Sequence, residues 1–158
     1  MRFLRTIRLD ESDAQVFESA AIPGEWAVPG SFTFVNNNPN ELTGKHLQAF
    51  KHGFLGIESL GWSTLVEIAD ISESEYRRVI EILATLLVER HGAPDIKTAL
   101  PAAREEAEYT CSLCQNDLDT LLGLERQLTS EGIVENLKIF RPNAASHSEL
   151  KLFGPDFE

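Results

Sequence analysis

Residues 61–92 read GWSTLVEIADISESEYRRVIEILATLLVERHG, and a change of period inside this stretch decides the fold. Trp62 to Ile71 is rich in β-branched and large apolar side chains, the composition of a strand. Its alternation is imperfect because Leu65 and Val66 are both apolar, which suits a central strand covered on both faces. From Glu73 to about His91 the period becomes helical. Tyr76, Val79, Ile80, Leu83, Leu86 and Leu87 recur at spacings that build one wide apolar stripe. Ser72 and Glu75 form a capping box ahead of it, and Glu73 and Arg77 sit four apart in the favourable order. Gly92 and Pro94 end the helix. A strand leading into a long one-faced helix makes this helix the main scaffold of a mixed fold.

Toward the N-terminus, Phe3 to Leu9 reads as a strand, and the turn formers Asp10 to Asp13 let Ala14 to Ser19 return beside it as a hairpin. Ile22 to Gly30 holds two Pro-Gly pairs around Trp26. Proline lacks a ladder donor, so this segment is expected to be a shaped loop and not a central strand. Ser31 to Val35 is expected to be a strand, and Asn40 to open a helix that Gly53 stops. Toward the C-terminus, a helix is expected from Pro101, placed in its first turn, to about Gln115. Asp119–Leu128 and Ile133–Arg141 read as a hairpin turning at Gly132, although Leu122, Leu124 and Leu128 do not all match Ile133, Leu137 and Ile139 in register. The expected architecture is a single α+β domain over residues 1–141, a mostly antiparallel sheet with about three helices packed on it. Residues 142–158 follow as a tail, docked or mobile.

Composition narrows the function. The 158 residues are 42% hydrophobic and 25% charged, enough for an ordinary core, and the formal net charge is −11. Such a chain repels a phosphate backbone, so nucleic acid is not an expected partner. No stretch is long and greasy enough to span a bilayer, and no basic amphipathic segment suits a membrane surface. The first eight residues lack the apolar core of a secretory signal, so the cytoplasm is the expected compartment.

The chemistry-bearing residues are sparse. Cys111-Ser112-Leu113-Cys114 is a CxxC, but it falls at the end of a helix where the dipole disfavours thiolate. Ala103, Ala107, Cys111 and Cys114 share a face, so a buried structural pair is preferred over a metal or redox site. His46, His52, His91 and His147 form no ligand motif, and His91 is expected at a helix C-terminus. Gly61-Trp62-Ser63-Thr64-Leu65 lacks the second glycine of a nucleophile elbow. Gly53-Phe54-Leu55-Gly56 is no phosphate loop, and Glu105-Glu106 reads as a solvated helix face. No catalytic residue and no cofactor is therefore assigned.

Two surface features remain. Trp26 sits in a rigid Pro/Gly loop that would present an aromatic to a partner, with Phe54 nearby. Lys45, His46, Lys51 and His52 gather four potential cations in an acidic chain and would suit an anionic ligand or an acidic patch. Residues 26–69 carry Glu41, Glu58 and Glu67 against Lys45 and Lys51, which makes this the least repulsive region.

Phe3 to Arg8, Pro23-Gly24-Glu25-Trp26-Ala27-Val28, Phe50 through Gly56, and Ser112-Leu113-Cys114 together resemble a small family of uncharacterised proteobacterial proteins of about this length. The resemblance implies no activity for any residue. It implies a connection to redox-enzyme maturation only as an alternative, and it places Cys114 inside the shared motif and Cys111 outside it. The expected function is non-catalytic: a cytoplasmic protein-binding or accessory protein, pairing with another protein or with itself as a homodimer. The alternatives are a redox-maturation or metal-handling accessory using Cys111 and Cys114, and a binder of small anions.

Overall fold

The computed structural model describes residues 1–9, 11–143 and 146–153, with side chains described up to Phe140. Among the described residues eight strands and four α-helices make an α+β fold. The strands are β1 (Arg2–Ile7), β2 (Trp26–Val28), β3 (Phe54–Gly56), β4 (Trp62–Ser63), β5 (Leu65–Asp70), β6 (Leu121–Thr129), β7 (Gly132–Asn143) and β8 (Ser146–Phe153). They form one sheet in the order β4-β3-β2-β1-β5-β6-β7-β8, with every neighbouring pair antiparallel. The helices are α1 (Ser12–Val16), α2 (Gly44–His52), α3 (Glu73–Arg90) and α4 (Ile96–Ser112). No helix among the described residues is long and apolar enough to cross a membrane.

Within residues 61–92 the helix forms where its period indicates, but the strand expected over Trp62 to Ile71 divides: Trp62–Ser63 pairs with β3 at the sheet edge as β4, and Leu65–Asp70 pairs with β1 as β5. β5 lies inside the sheet, Val66 and Ile68 are fully buried, and α3 begins on a Ser72 cap whose Oγ accepts from the Glu75 N–H at 3.1 Å. The Glu75 carboxylate does not reach back to the Ser72 backbone. One of its oxygens accepts from the Ser72 hydroxyl at 3.2 Å and the other from the Trp26 indole at 3.1 Å, fastening the helix to β2. At the other end Gly92 takes φ +81°, and the following Ala93 N–H returns to the Leu87 carbonyl.

Both faces of the sheet are buried, because neighbouring residues of one strand enter different cores. Phe3, Val28 and Leu55 pack under α3 and α4, whereas Leu4, Ala27 and Phe54 join Val66, Ile68, Leu122 and Leu124 on the opposite face. The sheet curls. Three strand spacings of about 4.8 Å separate β2 from β6 in the strand order, yet Arg126 of β6 donates to the carbonyl of Pro29, just past β2, at 2.6 Å. A third cluster, Phe17, Phe34, Ala49 and Phe50, ties α1 and α2 into the concave side.

Further local expectations are corrected. The helix expected to open at Asn40 begins at Gly44, because Pro39–Glu41 forms a separate 3-10 turn in which the Asn38 side chain accepts from the Asn40 N–H; Gly53 does end it. Ala14 to Ser19 does not return as a strand. Ser12–Val16 is a short helix whose Asp13 carboxylate accepts from the Thr64 hydroxyl at 2.6 Å, anchoring it across the fold. The Trp26 segment is an internal strand and not a loop, with the prolines and glycines confined to its flanks. Ser31–Phe34 is a 3-10 turn because Gly30, at φ +79°, turns the chain out of the sheet and the Thr33 hydroxyl bonds back to the Gly30 carbonyl. α4 starts at Ile96, where Asp95 caps the Thr98 N–H at 2.7 Å, so Pro101 lies inside the helix and not in its first turn. The final hairpin turns over Ser130-Glu131, and its leucines do match in register: Leu122 faces Ile139, Leu124 faces Leu137 and Leu128 faces Ile133.

Candidate functional site

α4 carries two adjacent stripes. Ala99, Ala103 and Ala107 recur every four residues and are buried against α3, where small side chains let the helices approach closely. One step around the helix, Ala102, Glu106 and Tyr109 follow at spacings of four and three and line the flank of that contact. Gly30 turns the chain so that the Phe32 ring closes the other side, backed by His91 at a ring separation of 5.2 Å. The result is a cleft of about 340 Å³ with Phe32, Leu83, Leu87, Ala102 and Ala103 as apolar wall, half-buried Glu106 as polar floor, and exposed Glu105 and Tyr109 completing the lining.

A buried polar network stands behind the floor. Arg126 is 1% exposed and forks widely. Its Nε donates to Glu135 at 2.9 Å, and its terminal nitrogens donate to the carbonyls of Pro29 and Phe50 at 2.6 Å, Gly53 at 3.3 Å and Ala49 at 3.4 Å. Its guanidinium also lies over the rings of Phe34 and Phe50. The second Glu135 oxygen accepts from the Tyr109 hydroxyl at 2.9 Å. Burial, with Glu135 beside it, holds the Tyr109 phenol above its usual range. Arg126, Glu135 and Tyr109 therefore spend their capacity on one another.

Glu106 is served differently. Four sequestered carboxylates can be compared among the described residues. Glu25 accepts from the N–H groups of Ile22, Glu58 and Ser59 and from the Ser59 hydroxyl. Asp13 accepts from the hydroxyl and N–H of Thr64, and Glu135 holds Arg126 and Tyr109. Glu106 receives a single long bond, 3.4 Å from the Gly30 N–H. Burial raises its pKa to about 7, the Gly30 bond and Arg126 opposing that shift and Glu135 adding to it. A carboxyl with unused acceptor capacity at the floor of a mostly apolar cleft, its pKa raised by burial, is the polar group around which a ligand site can be built.

The residues singled out from sequence do not converge on this cleft. Trp26 is half-buried on β2, edge-on to Phe3 at 6.0 Å and beneath the Arg5 guanidinium at 5.9 Å. Phe54 is fully buried. Lys45, His46 and Lys51 are exposed on α2, with His46 paired to Glu18 at 2.9 Å, whereas His52 turns inward to the Leu124 carbonyl. Cys111 and Cys114 are free thiols in different cores. Burial pushes both thiols up, Cys114 to about 12, which disfavours thiolate. No group of three His, Cys, Asp or Glu suited to a metal occurs among the described residues.

Sequence alone makes Glu106 half of a solvated Glu105-Glu106 pair. Glu105 is indeed exposed, but Glu106 lies one residue before the buried Ala107, on the boundary of the alanine stripe. The spacing of Ala102, Glu106 and Tyr109 beside Ala99, Ala103 and Ala107 is the signal that could have found it. Its meaning depends on Phe32, which reaches the cleft from seventy residues away in the chain.

One family model, described as a family of unknown function (DUF6505), matches residues 1–155. No curated protein and no solved structure matches the chain.

Proposed function

The chain belongs to DUF6505, a family of unknown function, and from that premise we propose that it is a binding protein, acting without catalysis, whose ligand seats an apolar body in the α3–α4 cleft and offers one hydrogen-bond donor to Glu106. The observation that carries this reading is the under-served Glu106 carboxyl in a cleft whose wall is mostly apolar, with Glu105 and Tyr109 as its other polar residues. A half-buried acceptor with spare capacity gains free energy from a donor that fits beside it. The volume lies near the lower end of the range for small-molecule sites.

The other readings draw less support. A protein partner docked on Trp26 and Phe54 would find one ring bound to Glu75 and the other sealed in the core. An anion held by Lys45, His46, Lys51 and His52 would meet an exposed helix face and a histidine committed to a backbone carbonyl. Redox or metal work by Cys111 and Cys114 would begin from thiols held protonated.

Titration of the protein with 2-phenylethanol, a small apolar body with one hydroxyl, tests the proposal by backbone amide NMR. The expected result is a saturable set of shifts confined to residues around Phe32, Leu83, Leu87 and Glu106, absent in Ala102→Trp, where the indole fills the exposed lip of the cleft. Shifts that persist unchanged in Ala102→Trp, or that centre elsewhere, overturn it.

A further inference from the structure

We propose that the cleft selects a small organic cation, an ammonium or amidinium on an apolar body, and that Glu106 is its counter-ion. This inference rests on the cleft being a binding site and adds the charge of its occupant.

The charges around the floor lead there. From β6 comes Arg126, and from β7 Glu135, the two paired at 2.9 Å and cancelling. From α4 come Glu106 itself, exposed Glu105 and the Tyr109 phenol, and from the end of α3 come Arg90 and His91. Burial and Arg90 lower the His91 pKa, which disfavours a positive charge on the imidazole behind Phe32. No lysine or arginine lies within ion-pair distance of Glu106 among the described residues, and its one donor is a backbone N–H at 3.4 Å. A cation is the missing element. An anionic ligand would instead meet Glu105 and Glu106 together at the cleft, in a chain of net charge −11.

Size and shape point to a free molecule. The cleft of about 340 Å³ has room for a few side-chain equivalents. Binding an ammonium requires the ionised carboxylate, and burial holds Glu106 near pKa 7. Affinity for a permanently charged amine is therefore expected to fall about tenfold per pH unit below that value and to level off above it. The amine itself stays protonated to about pH 10.

The experiment compares 2-phenylethylamine with isosteric 2-phenylethanol by NMR titration between about pH 5 and pH 8. The expected result at the upper end is at least about tenfold tighter binding of the amine, lost toward the lower end, with the alcohol unaffected by pH. Glu106→Gln keeps the shape and removes the charge, so it is expected to erase the preference for the amine while leaving alcohol binding in place. Circular dichroism checks that the variant is folded, and the wild-type pH series stands without it. Equal, pH-independent binding of the two at the cleft overturns the cation assignment and leaves the binding site intact. Shifts from neither compound at the cleft overturn both. A capped pentaalanine peptide with a central lysine that outcompetes the free amine also overturns the assignment, because the cation then belongs to a protein partner.

Discussion

Arg126 draws together polar groups from separate parts of the chain. It satisfies four carbonyls from the ends of β2 and α2 as well as Glu135, so it closes the curl of the sheet. Arg126→Met would keep much of the volume but leave the Glu135 carboxylate and those carbonyls buried without donors. The expected loss is about 3–5 kcal/mol, read by urea denaturation. Arg126→Lys should recover only part of it, since an ammonium cannot fork among five acceptors. Glu25 has the same standing at the other end of the sheet, where it serves three backbone N–H groups and lies against Gly56 so closely that a Cβ there would meet its carboxylate. Glu25→Ala is expected to cost at least about 2 kcal/mol. Glu106 predicts the opposite sign. Its pKa in the folded protein stands above that of the unfolded chain, so the folded state binds more protons between about 4.5 and about 7 and loses stability as pH rises through that window. Glu106→Gln should abolish that slope and leave the variant more stable than the wild type near pH 8, measured by denaturation at a series of pH values.

Among the elements, α3 is the most legible in sequence and α4 the least. The α3 period, cap and stop all agree, and Ser72→Ala is expected to cost about 1 kcal/mol by removing the bond to the Glu75 N–H. α4 contradicts the rule that proline marks a helix start. Its N-cap is Asp95, and Pro101 sits in the second turn, where it leaves the Lys97 carbonyl without its helical donor. Pro101→Ala is therefore expected to stabilise the protein by about 2 kcal/mol, the helical gain of about 3 kcal/mol being reduced by the freer unfolded chain. A measured loss on thermal unfolding would show that the ring's packing outweighs the missing hydrogen bond. The β6–β7 hairpin shows why register is hard to read from its leucines alone. A two-residue turn at Ser130-Glu131 fixes the pairing of every residue above it, and moving the turn by one residue shifts each pair.

At the scale of the whole molecule, charge dominates. Eleven excess negative charges repel one another in the compact state, so the melting temperature should rise as salt is raised from about 0.01 M to about 0.15 M, across which the screening length shortens from about 30 Å to about 8 Å. The two-faced burial of β1, β2 and β3 is a global property as well. Phe3 and Leu4 are adjacent in sequence and both fully buried, on opposite sides of the sheet, which requires helices over one face and the sheet's own curl over the other. By itself the sequence determined the class of fold, the long helix and its caps, the final hairpin and a charge that disfavours a phosphate partner, because those depend on period, capping chemistry and charge counted along the chain. Tertiary structure alone decided that Trp26 lies in a strand, that Ser31–Phe34 turns away from the sheet, and that Glu106 is sheltered while Glu105 beside it is exposed. Each of those depends on what arrives from a distant part of the chain: β1 and β3 flanking Trp26, Leu55 against Gly30, and Phe32 over the flank of α4. Local sequence carries a residue's preferences, but the burial that changes its chemistry is set by its neighbours in space.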